Sequence, residues 1–134
     1  MSERHTVRVR DVMTKRFQLV DGLITVKEGI RIMKQNEVRA LIINKRHDDD
    51  EYGLVLLSDI AKNVLAKNRS PDRVSIYEIM AKPIICVDPK MDIRYCARLF
   101  EHFGLAIAPV IDDHEVIGVV SYHEIVLNGL MESE

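Results

Sequence analysis

Residues able to ligate a metal, relay a proton or attack a substrate are sparse in this chain. Its five histidines (His5, His47, His102, His114, His123) and two cysteines (Cys86, Cys96) lack the close spacing of a metal site. His102 falls in a predicted helix and His114 in a predicted hairpin loop, and nothing pairs them. No glycine-rich phosphate loop precedes a helix, and no nucleophile motif is recognisable. The chain is therefore not expected to be an enzyme, and no catalytic residue, metal or required cofactor is assigned.

The cysteines carry a second inference. Cys86 lies in a predicted strand and Cys96 in a predicted helix, so both read as packing thiols rather than as a disulfide. Free thiols in turn point to a reducing cytoplasm. The polar N-terminus, Met1 to His5, has no secretory apolar stretch. No segment approaches the ~20 apolar residues that cross a bilayer, so no membrane partner is expected.

The 134 residues carry 19 Lys and Arg against 21 Asp and Glu, a net charge of −2. That balance excludes a nucleic-acid binder relying on a broad basic field. A small basic cluster, Arg4, Arg8, Arg10, Lys15 and Arg16, is interrupted by Glu3 and Asp11 and reads as a solvated face. At 47% hydrophobic and 30% charged residues the chain is globular rather than disordered.

The elements that would position any site emerge when the chain is compared with itself. Val12-Met13 aligns with Ile79-Met80, Lys15 with Lys82, Val20-Asp21 with Val87-Asp88, Arg31 with Arg98 and Ile43 with Val110. The first copy is then two residues longer, Lys45–Glu51 standing opposite Asp112–Val116. The match resumes at Gly53 with Gly118, Val55 with Val120 and Ile60 with Ile125. A short insertion in an Asp-rich stretch is what a hairpin loop tolerates.

Each copy reads as strand, helix, strand, strand, helix. Phe17–Val20 and Ile84–Val87 are the first strands, ending at turn residues. Thr25 and Glu28 form a capping box opening a helix with Val26, Ile30 and Met33 on one face. Asp92 caps its counterpart, which carries Ile93, Ala97 and Phe100. Ala40–Ile43 and Gly53–Leu57, like Ile107–Ile111 and Gly118–Val120, read as strand hairpins, followed by helices over Asp59–Lys67 and Tyr122–Met131. A polar linker, Asn68–Arg73, precedes a second capping box at Ser75 and Glu78. The expected fold is α+β with α/β-type layers: two pseudo-symmetric β-α-β-β-α repeats, 1–70 and 71–134. A single copy is too small to bury its apolar faces, so the two are expected to pack sheet to sheet with helices outside.

With this order in place, the chain resembles the tandem cystathionine-β-synthase (CBS) domain family, also called the Bateman module, from about Val9 to Leu130. The resemblance rests on Asp11-Val12-Met13-Thr14, Glu78-Ile79-Met80, Ala108-Pro109-Val110-Ile111-Asp112 and two strand-to-helix turns, Gly53–Asp59 and Gly118–Glu124. It implies a regulatory, energy-sensing module that binds an adenosine nucleotide in clefts between the repeats. It also implies a homodimer. AMP or ADP is favoured by the few positive charges near Ser121, with ATP, an NAD-type dinucleotide and S-adenosylmethionine left open. The regulated target is expected to be a separate protein.

In the family turn, a hydroxyl and backbone N–H groups at a helix N-terminus meet phosphate, and an acid three residues past the hydroxyl takes the ribose diol. The resemblance thereby marks Ser121, His123 and Glu124 in the second copy, and Ser58, Asp59 and Arg39 in the first. Ile84 and Ile85 correspond to the strand whose backbone meets adenine. Both turns depart from the pattern. Glu124 stands where Asp is usual, extending the carboxylate by ~1.5 Å, and Leu56 occupies the first copy's hydroxyl position. These departures support a competing expectation, a degenerate pair without ligand that serves dimerisation or protein docking.

Overall fold

Thr25 begins the first long helix as expected, its Oγ accepting the Glu28 N–H at 3.1 Å. The Glu28 carboxylate pairs with Arg31, leaving the reciprocal half of that capping box unmade among the described residues. The computed structural model describes residues 6–132. Met1–His5, with Glu3 and Arg4 of the basic cluster, lie outside the described residues.

The fold is α+β, divided into two compact units. One spans 17–84; the other joins the segment ending at Arg16 to the segment beginning at Ile85. Each copy's opening segment is therefore built into the unit holding the other copy's sheet, and backbone hydrogen bonds show why. Val9 N–H donates to Met91 O at 2.8 Å, and Ile93 N–H donates back to Val7 O at 3.0 Å. The equivalent pair, Ile76 to Ile24 O and Val26 to Val74 O, is 2.8 Å in both bonds. Thr14 and Val119 exchange two bonds of 2.9 Å, as Ala81 and Leu54 do at 2.9 and 3.0 Å.

In the 17–84 unit, β1 (Leu19–Val20) runs parallel to β2 (Ala40–Ile43), which pairs antiparallel with β3 (Gly53–Leu56). A four-residue helix, α1 (Val9–Val12), belongs to the other unit, so the first helix here is α2 (Val26–Asn36). Its buried stripe is Val26, Gly29 and Met33, whereas the expected Ile30 is 38% exposed. Gly29 takes the inner position because space there is short: a Cβ would stand 2.8 Å from Ile76 Cδ1. β3 passes directly into α3 (Leu57–Ile60), which continues as a π-helical turn, Ala61–Leu65. The inserted loop is anchored by Asp50, which accepts from Lys82 Nζ at 2.6 Å and from Arg46 N at 2.9 Å.

In the other unit, α4 (Ile93–Phe103) is capped by Asp92, whose Oδ1 accepts the Arg94 N–H at 2.8 Å. Gly104 ends it at φ 66°, a left-handed conformation that glycine enters without strain. Ile93, Cys96 and Phe100 are buried on β4 (Ile107–Asp112) and β5 (Glu115–Ser121). Cys96 thus sits one position from the expected Ala97, and neither cysteine forms a disulfide. Asp113 and His114 close the hairpin with φ of 50° and 68°, the pair of positive values a tight two-residue turn requires.

The expected strand Ile84–Val87 does not form a ladder. Val87 makes one parallel bridge to Val110, and the cause is Pro109. In the first copy Ile42 N–H donates to Gln18 O at 3.0 Å. Pro109 holds the equivalent place and has no N–H. Beyond β5 the chain turns helical at Tyr122, forms a π-helical turn at Glu124–Asn128 and ends in α5 (Gly129–Glu132). No described helix is long and apolar enough to cross a membrane.

Candidate functional site

β5 delivers Ser121 to the start of the last helix, paired across the sheet with Ile107. Ser121 N–H donates to Glu124 Oε1 at 2.8 Å, and Ser121 Oγ donates to the same oxygen at 2.6 Å. His123 N–H in turn donates to Ser121 Oγ at 3.2 Å. The turn is thus closed on itself by a carboxylate at its third helical position, while Glu124 Oε2 faces no hydrogen-bond partner among the described residues. Ser121 and Glu124 are half-buried and His123 is exposed. Tyr122 steadies the turn, its ring meeting Phe100 of α4 edge-on at 5.3 Å between centroids.

The first copy builds the same turn with different chemistry. Asp59 Oδ2 accepts the Leu56 N–H at 2.8 Å, and no hydroxyl takes part. Leu56 itself is the N-cap of α3, so Ser58 lies inside the first helical turn, exposed, rather than at the cap. Arg39 is exposed one residue before β2. Because Ala40 pairs with Leu56, the antiparallel register sets Arg39 opposite Leu57, at the start of α3. The equivalent residue in the second copy is Ala106.

Each unit gathers some of the sequence-marked residues. Ser121, His123, Glu124 and Ile85 fall in one; Arg39, Ser58, Asp59 and Ile84 fall in the other. Ile84 and Ile85 are half-buried. The parallel register of Val87 with Val110, carried back two residues, sets Ile85 beside Ala108 of β4.

Sequence reasoning missed the lock between Glu124 and Ser121, although its signal was present. Ser121-Tyr122-His123-Glu124 has the same hydroxyl-to-acid spacing as the boxes at Thr25 and Ser75. An open groove of about 510 Å³ lies elsewhere in the same unit, lined by Asp11, Val12, Met13, Leu127, Asn128 and Met131. It holds none of the marked residues. Among the described residues no cluster of His, Cys, Asp or Glu is arranged to hold a metal ion.

These turns, repeated on two interleaved α+β units, define a class. The CBS domain model matches residues 9–66 and 76–128, and the chain belongs to the CBS domain family as a tandem pair. A hexameric CBS-CP12 protein from bloom-forming cyanobacteria superposes with a TM-score of 0.91 at 32% identity, covering 97% of this chain and 76% of that one. The CBS domain pair of protein MJ0100, solved in complex with 5′-methylthioadenosine and S-adenosyl-L-methionine, gives a TM-score of 0.79 at 25% identity, covering 96% and 98%. An uncharacterized 33.4 kDa protein of Thermofilum pendens is 23% identical over 145 residues, 93% of this chain. This chain spans 48% of that relative's length.

Proposed function

We propose that this CBS pair is a regulatory module that binds an adenosyl ligand at its strand-to-helix turns. The observation that carries this reading is the pinned carboxylate. One oxygen of Glu124, and one of Asp59, is held by the backbone N–H three residues earlier, which fixes the direction of the second oxygen. A carboxylate oriented in this way accepts ribose hydroxyls without first losing rotamer entropy. The adenosyl ligands of the MJ0100 pair support the ligand class. AMP or ADP fits the Leu56–Asp59 turn best, where Arg39 supplies positive charge and the small number of neighbouring cations disfavours a triphosphate.

Binding would act by population shift. A ligand held by one arrangement of the turns stabilises that arrangement only by its difference in affinity for the alternatives. The change passes to a separate regulated protein in the cytoplasm, where the two thiols stay reduced. Self-association as a homodimer is part of the reading. Tyr122, Val126 and Leu130 are 41%, 44% and 59% exposed along the last helical segment, an apolar surface suited to a second copy. The hexameric CBS-CP12 relative supports assembly in general.

Thermal denaturation of the purified chain with AMP, ADP, ATP, NAD, S-adenosylmethionine and 5′-methylthioadenosine tests the reading. A ligand at 100 times its dissociation constant adds about 2.7 kcal/mol, a rise of several degrees in Tm. No shift with any of them at millimolar concentration would reject ligand binding and leave the docking module as the better account.

A further inference from the structure

The repeat supplies its own comparison for the outer helix faces. In the unit built on β4 and β5, α4 and the last helical segment lie side by side. The Tyr122 ring meets Phe100, 5.3 Å between centroids, and a Cβ on Gly129 would stand 2.4 Å from Ile93 Cδ1. Tyr122 is thus near the end of α4 and Gly129 near its start, an antiparallel helix pair. The solvent side of that pair is apolar: Tyr95 and Phe103 on α4, and Leu127, Leu130 and Met131 on the last segment, are each more than half exposed. The aligned residues of the first copy are Glu28 for Tyr95, Asn36 for Phe103 and Lys62 for Leu127. The first copy keeps an exposed Leu65 opposite Leu130, but sets Lys62 three residues before it. The aligned arginines show the same exchange. Arg31 pairs with the Glu28 carboxylate, whereas Arg98 stacks its guanidinium over the Tyr95 ring at 5.3 Å. A stacked guanidinium is weakly hydrated and tolerates burial in an interface.

We propose that this two-helix face of the second copy is a two-fold interface that meets the same face of a second chain, joining the chains second copy to second copy. The proposal rests on the self-association part of the reading above and makes no use of a ligand. A two-fold contact asks for one patch complementary to itself. The five apolar residues bring no charge against one another, and their exposed area, several hundred Å², approaches the ~800 Å² per partner of a standard interface. A head-to-tail pairing would instead set this patch against the first copy's face. That contact would strip water from Lys62 and from the Glu28–Arg31 pair, a desolvation cost that two apolar faces avoid.

Sedimentation equilibrium of the full chain and of variants that return first-copy residues tests the surface. Leu127→Lys and Tyr95→Glu should each raise the dimer dissociation constant at least about tenfold. Both positions are exposed, so circular dichroism should show the fold unchanged, and Lys62→Glu should leave dimerisation as it is. Orientation is read from pulsed dipolar distances between nitroxides at His102→Cys and at the aligned Gln35→Cys, both exposed, in a Cys86→Ser background. Of the three pairings between chains, 102 to 102 should be the shortest. A shortest distance from 102 to 35, or from 35 to 35, would overturn the proposal while leaving self-association intact, as would a dissociation constant unmoved by both variants. A wild-type chain that stays monomeric at millimolar concentration would overturn self-association and this proposal with it.

Discussion

Met13 packs against Gly118 so closely that a Cβ on the glycine would stand 2.7 Å from the methionine sulfur. Met80 bears the same relation to Gly53, at 2.6 Å. These contacts tie each copy's opening segment to the sheet of the other copy. Their surroundings differ, because a Cβ at Gly118 would also meet the Thr14 carbonyl at 2.9 Å, which the paired bonds to Val119 hold in place. Gly118→Ala should therefore destabilise the fold by about 1–3 kcal/mol, and more than Gly53→Ala, whose new methyl chiefly displaces the flexible Met80 thioether. Urea unfolding of both variants checks the order; equal stabilities would contradict it.

Cys96 is fully buried, and burial pushes its thiol up from 9.0 to about 11. A raised value favours the protonated folded state, so this contribution is complete below pH 9. It is lost as pH climbs from 9 to 11, by up to about 3 kcal/mol. The thiol should resist alkylation at pH 8 until the chain unfolds, while the half-exposed Cys86 reacts first. Timed alkylation with mass spectrometry distinguishes the two. Rapid modification of Cys96 under native conditions would contradict its placement.

Asp50 holds the inserted loop of the first copy. The Lys82 ammonium, followed by the backbone N–H of Arg46, keeps its carboxyl far below the usual carboxylate range. A depressed value stabilises the latch above the unfolded-state range, so the latch should survive mild acid and open only as pH falls well below it. Asp50→Asn should speed amide exchange at Arg46, whose N–H donates to Asp50. Exchange at Arg46 as slow as in the wild type would show that the loop is held by other contacts, such as Lys45 over the Tyr52 ring at 5.0 Å.

Pro109 interrupts the second copy's first strand. Pro109→Ala restores an N–H opposite the Ile85 carbonyl, in the relation Ile42 has to Gln18. The new amide should be protected from exchange, with extended structure growing toward Ile85. A freely exchanging amide would mean that Ile84–Val87 is held apart from β4 for another reason.

Much of this organisation was legible in one sequence because it is local or repeated. Asp92, Thr25 and the strand Ala40–Ile43 follow from capping chemistry and short apolar runs, and the repeat follows from matched residues such as Met13 and Met80. What one copy's pattern did not show has distant causes. Gly29 rather than Ile30 faces inward because Ile76, far along the chain, fills the space beside it. The interleaving of the opening segments depends on bonds such as Val9 to Met91, and pattern within a copy carries no trace of a partner in the other. At the site, the turn and its two acids were visible. What Glu124 does there was not, since a ribose-facing acid and a capping acid share the same spacing.

A crystal structure of the chain grown with saturating 5′-methylthioadenosine tests the central claim most directly. The account places the ribose hydroxyls within hydrogen-bonding distance of the second oxygen of Glu124, with the Ser121–Glu124 bonds intact. A ligand seated elsewhere, in the Asp11–Met131 groove for example, or no ligand at saturation, would contradict it.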